Sequence, residues 1–119
     1  MSEIIIVDDM ASTRQMISSV LKEEGHKVIE AVDGKDALEK VNPSVKMVIT
    51  DLHMPYINGI ELIKRIRENP DYKTIPIIMV SSGSEDKKIE SMSAGVTEWL
   101  DKPVNTRNLV EVVNRFLTD

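Results

Sequence analysis

At 119 residues the chain is near the usual size of one domain, long enough to bury a core and too short for two. Some 41% of residues are apolar and 29% charged, yet no window approaches the ~18 continuous apolar residues of a membrane-spanning helix, so a soluble protein is expected. A net charge of -5, basic residues interleaved with acids and only 3% aromatics disfavour nucleic-acid binding and stacking platforms, while the absence of cysteine removes disulfides, thiolate zinc sites and thiol nucleophiles.

The first apolar run, Ile4 to Val7, comes after three residues with no cationic leader, and the expectation is a cytoplasmic protein. This β-branched run predicts a strand; Asp8 and Asp9 follow, and Ser12 with Gln15 reads as a capping box opening a helix. Met16, Ile17, Val20 and Leu21 fall at helical spacing before Gly25. The alternation then repeats. Val28 to Val32 predicts a second strand, Asp33 and Gly34 a cap or turn, and Ala37, Leu38 and Val41 a helical face that Pro43 closes. Met47 to Thr50 predicts a third strand, followed by the segment D-L-H-M-P-Y-I-N-G and a helix carrying Leu62, Ile63 and Ile66 that closes at Asn69 and Pro70. Ile77 to Val80 predicts a fourth strand. Ser84 to Ala94 has helical spacing at Ile89 and Met92 but is polar elsewhere, so it is expected to be the least anchored helix. Val96 to Leu100 predicts a fifth strand, and Asn105 caps a last helix with the face Leu109, Val112, Val113, Phe116 and Leu117. Met16, Met47, Met79 and Met92 are read as core filler.

Five strand and helix pairs in strict alternation, with nearly continuous apolar strands, imply an α/β fold: a doubly wound five-stranded parallel sheet covered by helices on both faces. In such sheets sites form outside the C-terminal ends of the strands. Asp8 and Asp9 end the first strand, Asp51 the third, Ser81 and Ser82 the fourth and Lys102 the fifth, so these residues converge on one edge. Taken alone, an Asp after a strand is more often a helix cap than a catalyst, and Ser81, Ser82 and Lys102 read as ordinary loop residues. Their convergence is what ordinary loop chemistry does not explain. Three crowded carboxylates repel, and either take up protons or recruit a hard cation, for which Mg2+ is the expected choice. A carboxylate is also a nucleophile toward phosphorus when Mg2+, Lys102 and the Ser81 hydroxyl neutralise the transferring oxygens, helped by backbone amides at Leu52, His53 and Ser82. His26 and His53 lack the spacing of a metal pair, and Trp99 suits packing as well as it suits function.

The acids in I-I-I-V-D-D, the D-L-H-M-P-Y-I-N-G segment, I-I-M-V-S-S, S-A-G and W-L-D-K-P stand in an order that resembles the receiver domains of two-component response regulators. The resemblance covers the whole chain, 1-119, and implies a flavodoxin-like (βα)5 sheet in strand order 2-1-3-4-5. It implies that Asp51 is the phosphoacceptor and that Asp9, Asp51 and the backbone carbonyl of His53 hold Mg2+, with Asp8 acting mostly through water. Ser81 would bond a phosphoryl oxygen, Lys102 would pair with the phosphate ahead of a cis bond to Pro103, and Trp99 would be the switch aromatic coupled to Ser81. Trp99, Ser82, His53, Gly83 and Val104 depart from the commoner family residues without removing a required group. The implied partners are a histidine kinase or phosphotransfer protein and a downstream target protein. The chain is similar to single-domain chemotaxis receivers, for which that target is a flagellar motor component; a phosphorelay intermediate is the alternative. The expectation is a monomeric switch that catalyses only its own phosphorylation and dephosphorylation, with no nucleic-acid partner. Three rivals remain: a haloacid-dehalogenase-like phosphatase, disfavoured by adjacent acids in place of Asp-x-Asp; a flavodoxin-like cofactor binder, disfavoured by acids where its phosphate loop would lie; and a phosphorylation-independent interaction module of the same fold.

Overall fold

The computed structural model describes residues 2-117, and in it the strands β1 (Glu3–Val7), β2 (Lys27–Ala31), β3 (Val45–Thr50), β4 (Ile77–Ser81) and β5 (Glu98–Asp101) alternate with helices. These are α1 (Ala11–Glu23), α2 (Gly34–Lys40), α3 (Gly59–Glu68), α4 (Glu85–Ala94) and α5 (Thr106–Leu117). The strands pair in parallel in the order β2-β1-β3-β4-β5, as expected. A parallel pair needs a crossover, and α1 to α4 supply the four, while α5 follows the last strand.

Side-chain alternation along β1 explains why both faces are covered. Ile5 and Val7 join Val48, Leu62, Ile63, Ile66 and Met79 in one core against α2 and α3. Ile4 and Ile6 join Ile17, Leu21, Ile49, Leu109, Val112 and Val113 in the other, against α1 and α5. Each such side chain fully removed from water contributes roughly 1.5–3 kcal/mol, whereas exposed pairs such as Arg65 with Glu61 contribute at most about 1 kcal/mol, so the two cores dominate stability.

The caps Asp33, Asn58, Ser84 and Asn105 hold their helices through side-chain oxygens, as does Asn69 for a short 3-10 turn, Pro70–Tyr72. The capping box expected at Ser12 and Gln15 does not form. α1 begins one residue before Ser12, its N-cap is Met10, and the turn into it is made by Asp8, whose Oδ1 accepts the Met10 N–H at 2.9 Å. Strand β2 ends at Ala31 rather than Val32, because the Val32 amide turns to the Asp36 carboxylate. Strand β5 starts at Glu98 rather than Val96; Val96 belongs to the closure of α4, its amide donating to the Ser91 carbonyl. Met92 is corrected too. Its side chain is 71% exposed, together with Ile89 at 58%, while Ser91 alone of α4 is buried. The helix is indeed poorly anchored along its length.

Its C-terminal end is another matter. Gly95 stops α4 at φ +109°, and its carbonyl accepts from Arg67 Nε and Nη2 at 3.1 and 2.9 Å. Arg67 Nη1 also donates to the carbonyls of Tyr72 (2.8 Å) and Ile75 (2.7 Å). Burial lowers the pKa of this guanidinium from its ordinary value, and it ties α3, the 3-10 turn and the end of α4 together.

Candidate functional site

Four strand ends deliver the polar side chains that an apolar sheet leaves at its rim. Asp8 follows β1 and is buried; Asp9 follows it and is exposed. Asp51 follows β3 and is buried, and His53 lies exposed in the loop before α3. Ser81 closes β4, buried at 1%, and half-buried Lys102 follows β5.

The expected acids meet. Ligand oxygens of Asp8, Asp9 and Asp51 all lie within 4.8 Å of one another. Lys102 Nζ stands 3.4 Å from Asp8 Oδ2 and 3.5 Å from Asp51 Oδ2, bridging the two buried carboxylates. Its backbone N–H donates to the Ser81 carbonyl at 3.3 Å, which ties the lysine to the end of β4. The Lys102–Pro103 peptide is cis, as the resemblance implies.

One ammonium does not balance three carboxylates. Burial is the main cause raising the Asp8 pKa above its ordinary value; the Asp51 charge adds to it, and Lys102 and the Met10 amide oppose it. The folded chain therefore holds a proton on Asp8 at pH values where the unfolded chain, at about 3.8, has lost it. Stability from this group is greatest at low pH and falls as pH rises through the folded pKa. Asp8→Asn, which keeps an oxygen for Met10 and removes the buried charge, is expected to raise the metal-free melting midpoint at neutral pH by a few degrees. The gain should vanish near pH 3; a lower midpoint in Asp8→Asn at neutral pH would count against the crowding.

An all-oxygen donor set carrying excess negative charge suits a hard divalent cation, so the residues fit the expected metal chemistry. The two oxygens of Asp51 are distinguished by their neighbours. Oδ1 accepts the Leu52 N–H at 2.8 Å, while Oδ2 faces Lys102. The Leu52 amide, expected to face a bound anion, is thus taken up by Asp51 itself. The Ser81 hydroxyl is buried and, among the described residues, has no hydrogen-bond partner, an unused donor at the end of β4.

Trp99 is half-buried on β5, in register with Met79. Its Nε1 donates to Asp101 Oδ1 at 3.0 Å, and Lys88 Nζ lies 5.8 Å from the ring centroid. The six-membered ring lies against Gly83: a Cβ there would stand 2.7 and 2.8 Å from Trp99 Cη2 and Cζ2. With Lys88, Ile89 and Met92 the ring lines a groove of about 310 Å³ between α4 and β5.

Three supports were not legible in the sequence. Thr50 Oγ1 donates to the Asp51 carbonyl at 2.9 Å, Arg14 Nη1 donates to the Asp8 carbonyl at 2.8 Å, and Gly59 passes so close to Asp51 that a Cβ would stand 2.3 Å from its carbonyl oxygen. The Asn-Gly pair in the acid segment signals a turn, but only the fold reveals that the glycine is needed for a backbone approach.

Residues 4–114 match the family model for the response regulator receiver domain. The chain is 37% identical over 119 residues to a chemotaxis protein CheY homolog of Campylobacter jejuni, covering 97% of this chain and 92% of that one. It is 35% identical over 118 residues to a transcriptional regulatory protein CpxR homolog of Haemophilus influenzae, covering 98% of this chain but 51% of the relative, so it spans about half that regulator's length. Among solved structures it is similar to the Vibrio cholerae chemotaxis protein CheY4, with a TM-score of 0.90, 37% identity and coverage of 98% and 99%.

Proposed function

The chain belongs to the response regulator receiver domain family, and from that premise we propose that it is a Mg2+-dependent switch that accepts a phosphoryl group on Asp51 from a histidine kinase or phosphotransfer protein. The observation that carries this reading is the meeting of Asp8, Asp9 and Asp51 within 4.8 Å under the ammonium of Lys102. The carboxylates of Asp9 and Asp51 and the carbonyl of His53 would hold the cation, with Asp8 bonding through water. When bound, Mg2+ supplies positive charge to phosphoryl oxygens in the transition state.

The remaining chemistry falls to the chain itself. An Asp51 carboxylate oxygen forms the new bond to phosphorus as the bond from phosphorus to the donor's imidazole nitrogen breaks. The Leu52 amide fixes one Asp51 oxygen and so orients the other toward Lys102. Lys102, already beside Asp51 Oδ2, neutralises charge on the transferring group, and the unpartnered Ser81 hydroxyl donates to one of its oxygens. The chain acts only on its own acyl phosphate, with water hydrolysing it, and turns over no external metabolite.

Drawing Ser81 toward the phosphoryl group pulls on the segment that leads to Gly83, where Trp99 packs. A phosphorylation-dependent shift there changes the face formed by α4, β5 and α5, where exposed Ile89 and Met92 offer apolar contacts to a target protein. The relatives named as chemotaxis proteins support a role in chemotaxis, and the family resemblance implies a flagellar motor component as the target. A monomer in the cytoplasm fits this role, and among the described residues no helix is long and apolar enough to cross a membrane.

The test is to incubate the protein with acetyl phosphate or phosphoramidate and weigh it intact. One added phosphoryl group with Mg2+ and none in its absence is expected; no adduct together with no Mg2+ binding would move the reading to a phosphorylation-independent interaction module. Since Trp99 is the single tryptophan, its emission should change on phosphorylation. Ser81→Ala should still accept phosphate, more slowly, but lose most of the emission change. An unaltered change in that variant would break the proposed coupling.

A further inference from the structure

Asp9 is exposed, and among the described residues its carboxylate takes part in no hydrogen bond or ion pair. Its position is therefore set by the main chain on either side. The Met10 side is held by the Asp8 carboxylate, which accepts the Met10 N–H at 2.9 Å, and by the first backbone bond of α1; the Asp8 side is held by the Arg14 side chain. Arg14 Nη1 donates to the carbonyl of Asp8 at 2.8 Å, and the Arg14 backbone N–H donates to the carbonyl of Met10 at 3.0 Å. The guanidinium is itself fixed: its side chain is 13% exposed, and Nε donates to Glu30 Oε1 on β2 at 3.0 Å. Glu30 is in register with Ile6 and its own carbonyl takes the Lys40 ammonium at 2.9 Å, so the anchor belongs to the rigid sheet.

We propose that Arg14, anchored by Glu30, is a positioning residue that fixes the main chain on the Asp8 side and thereby presents the Asp9 carboxylate for Mg2+. The proposal rests on the Mg2+ reading given above. Its sign opposes simple electrostatics, because a cationic side chain near the site repels Mg2+ and its loss alone would tighten binding. Positioning predicts the reverse, since groups that orient metal ligands are worth about tenfold or more in metal affinity. Arginine suits the task because its rigid fork directs one bond at a carbonyl and another at a carboxylate, which a single ammonium does not reproduce.

Calorimetric titration with Mg2+ of the wild type, Arg14→Lys, Arg14→Gln and Glu30→Gln separates these cases, with melting midpoints in the absence of Mg2+ recording whether each variant is folded. Both Arg14 variants should bind Mg2+ about tenfold more weakly and Glu30→Gln several-fold more weakly. Phosphorylation by a small donor should recover toward the wild-type rate when Mg2+ is raised in proportion, which a merely destabilised fold would not show. Wild-type affinity in Arg14→Lys, or tighter binding in Arg14→Gln, would overturn the proposal while leaving the switch intact. Should Arg14→Gln fail to fold, Arg14→Lys and Glu30→Gln decide the question. No Mg2+ binding by the wild type would overturn both this proposal and the reading on which it rests.

Discussion

Asp51→Asn is expected to fold normally and to take up phosphate from a small donor at least about a thousandfold more slowly than the wild type, the scale on which loss of a nucleophile is felt. The amide of asparagine keeps an oxygen for the Leu52 N–H, now held at 2.8 Å, so the loop loses no backbone partner. It also removes one of three mutually repelling carboxylates, and the metal-free protein should be no less stable than the wild type. What disappears is the nucleophile and one cation ligand together. Intact mass after incubation with acetyl phosphate and Mg2+ measures the first, and a Mg2+ titration the second. An adduct of wild-type yield in the variant would place the acceptor elsewhere and sink the assignment of Asp51.

Gly59→Ala should be among the most damaging single-methyl substitutions in the molecule. An added Cβ would stand 2.3 Å from the Asp51 carbonyl oxygen, 3.0 Å from Leu52 Cα and 3.0 Å from Met79 Cε. The first two are backbone atoms. Gly59 N–H meanwhile donates to the Leu52 carbonyl at 2.9 Å, so the two segments cannot part without losing that bond. Overpacking of this kind costs about 3 kcal/mol or more, which chemical denaturation reads as a shifted midpoint. Because the strain falls on the peptide that carries Asp51, phosphorylation of the folded fraction should also slow. Gly34→Ala is the control. Its Cβ would meet Ile57 Cγ1 at 2.5 Å and Cδ1 at 2.8 Å, but the Ile57 carbonyl oxygen only at 3.3 Å, so a side chain rather than main chain takes most of the overlap and the loss should be smaller than at Gly59. Equal losses in the two variants would show that the backbone approach at Gly59 has no special weight.

The sheet and the rim where Asp8, Asp51 and Lys102 meet were legible because they depend on short-range pattern. Ile4 to Val7 announces a strand buried on both faces, and a residue at the C-terminal end of such a strand lies at the rim whatever the details of the loops. Asp8, Asp51 and Lys102 were placed correctly for that reason. Ser12 and Gln15 misled because a capping box is one of several ways to start a helix, and the Asp8 side chain had already closed the turn. Met92 misled because helical spacing shows which residues share a face without showing whether anything covers it. Arg14 and Arg67 were illegible as structural parts. Both bind main-chain carbonyls outside their own helical ladders, from 5 to 28 residues away in sequence, and a carbonyl has no sequence signature.

Arg67 has a consequence for how α4 moves. Its guanidinium fastens the last turn to α3 at Gly95, whereas the first turn rests on the Ser84 cap at 3.4 Å and on solvent-washed contacts of Lys88. A rod pinned at one end and free at the other is a lever. On the proposed switch, a pull near Ser81 would swing it about Gly95, and each side chain along it would travel in proportion to its distance from that pivot. Ile89 would then sweep a wider arc than Met92, so a target gripping both would be sensitive to the angle of the helix as well as to its apolar surface.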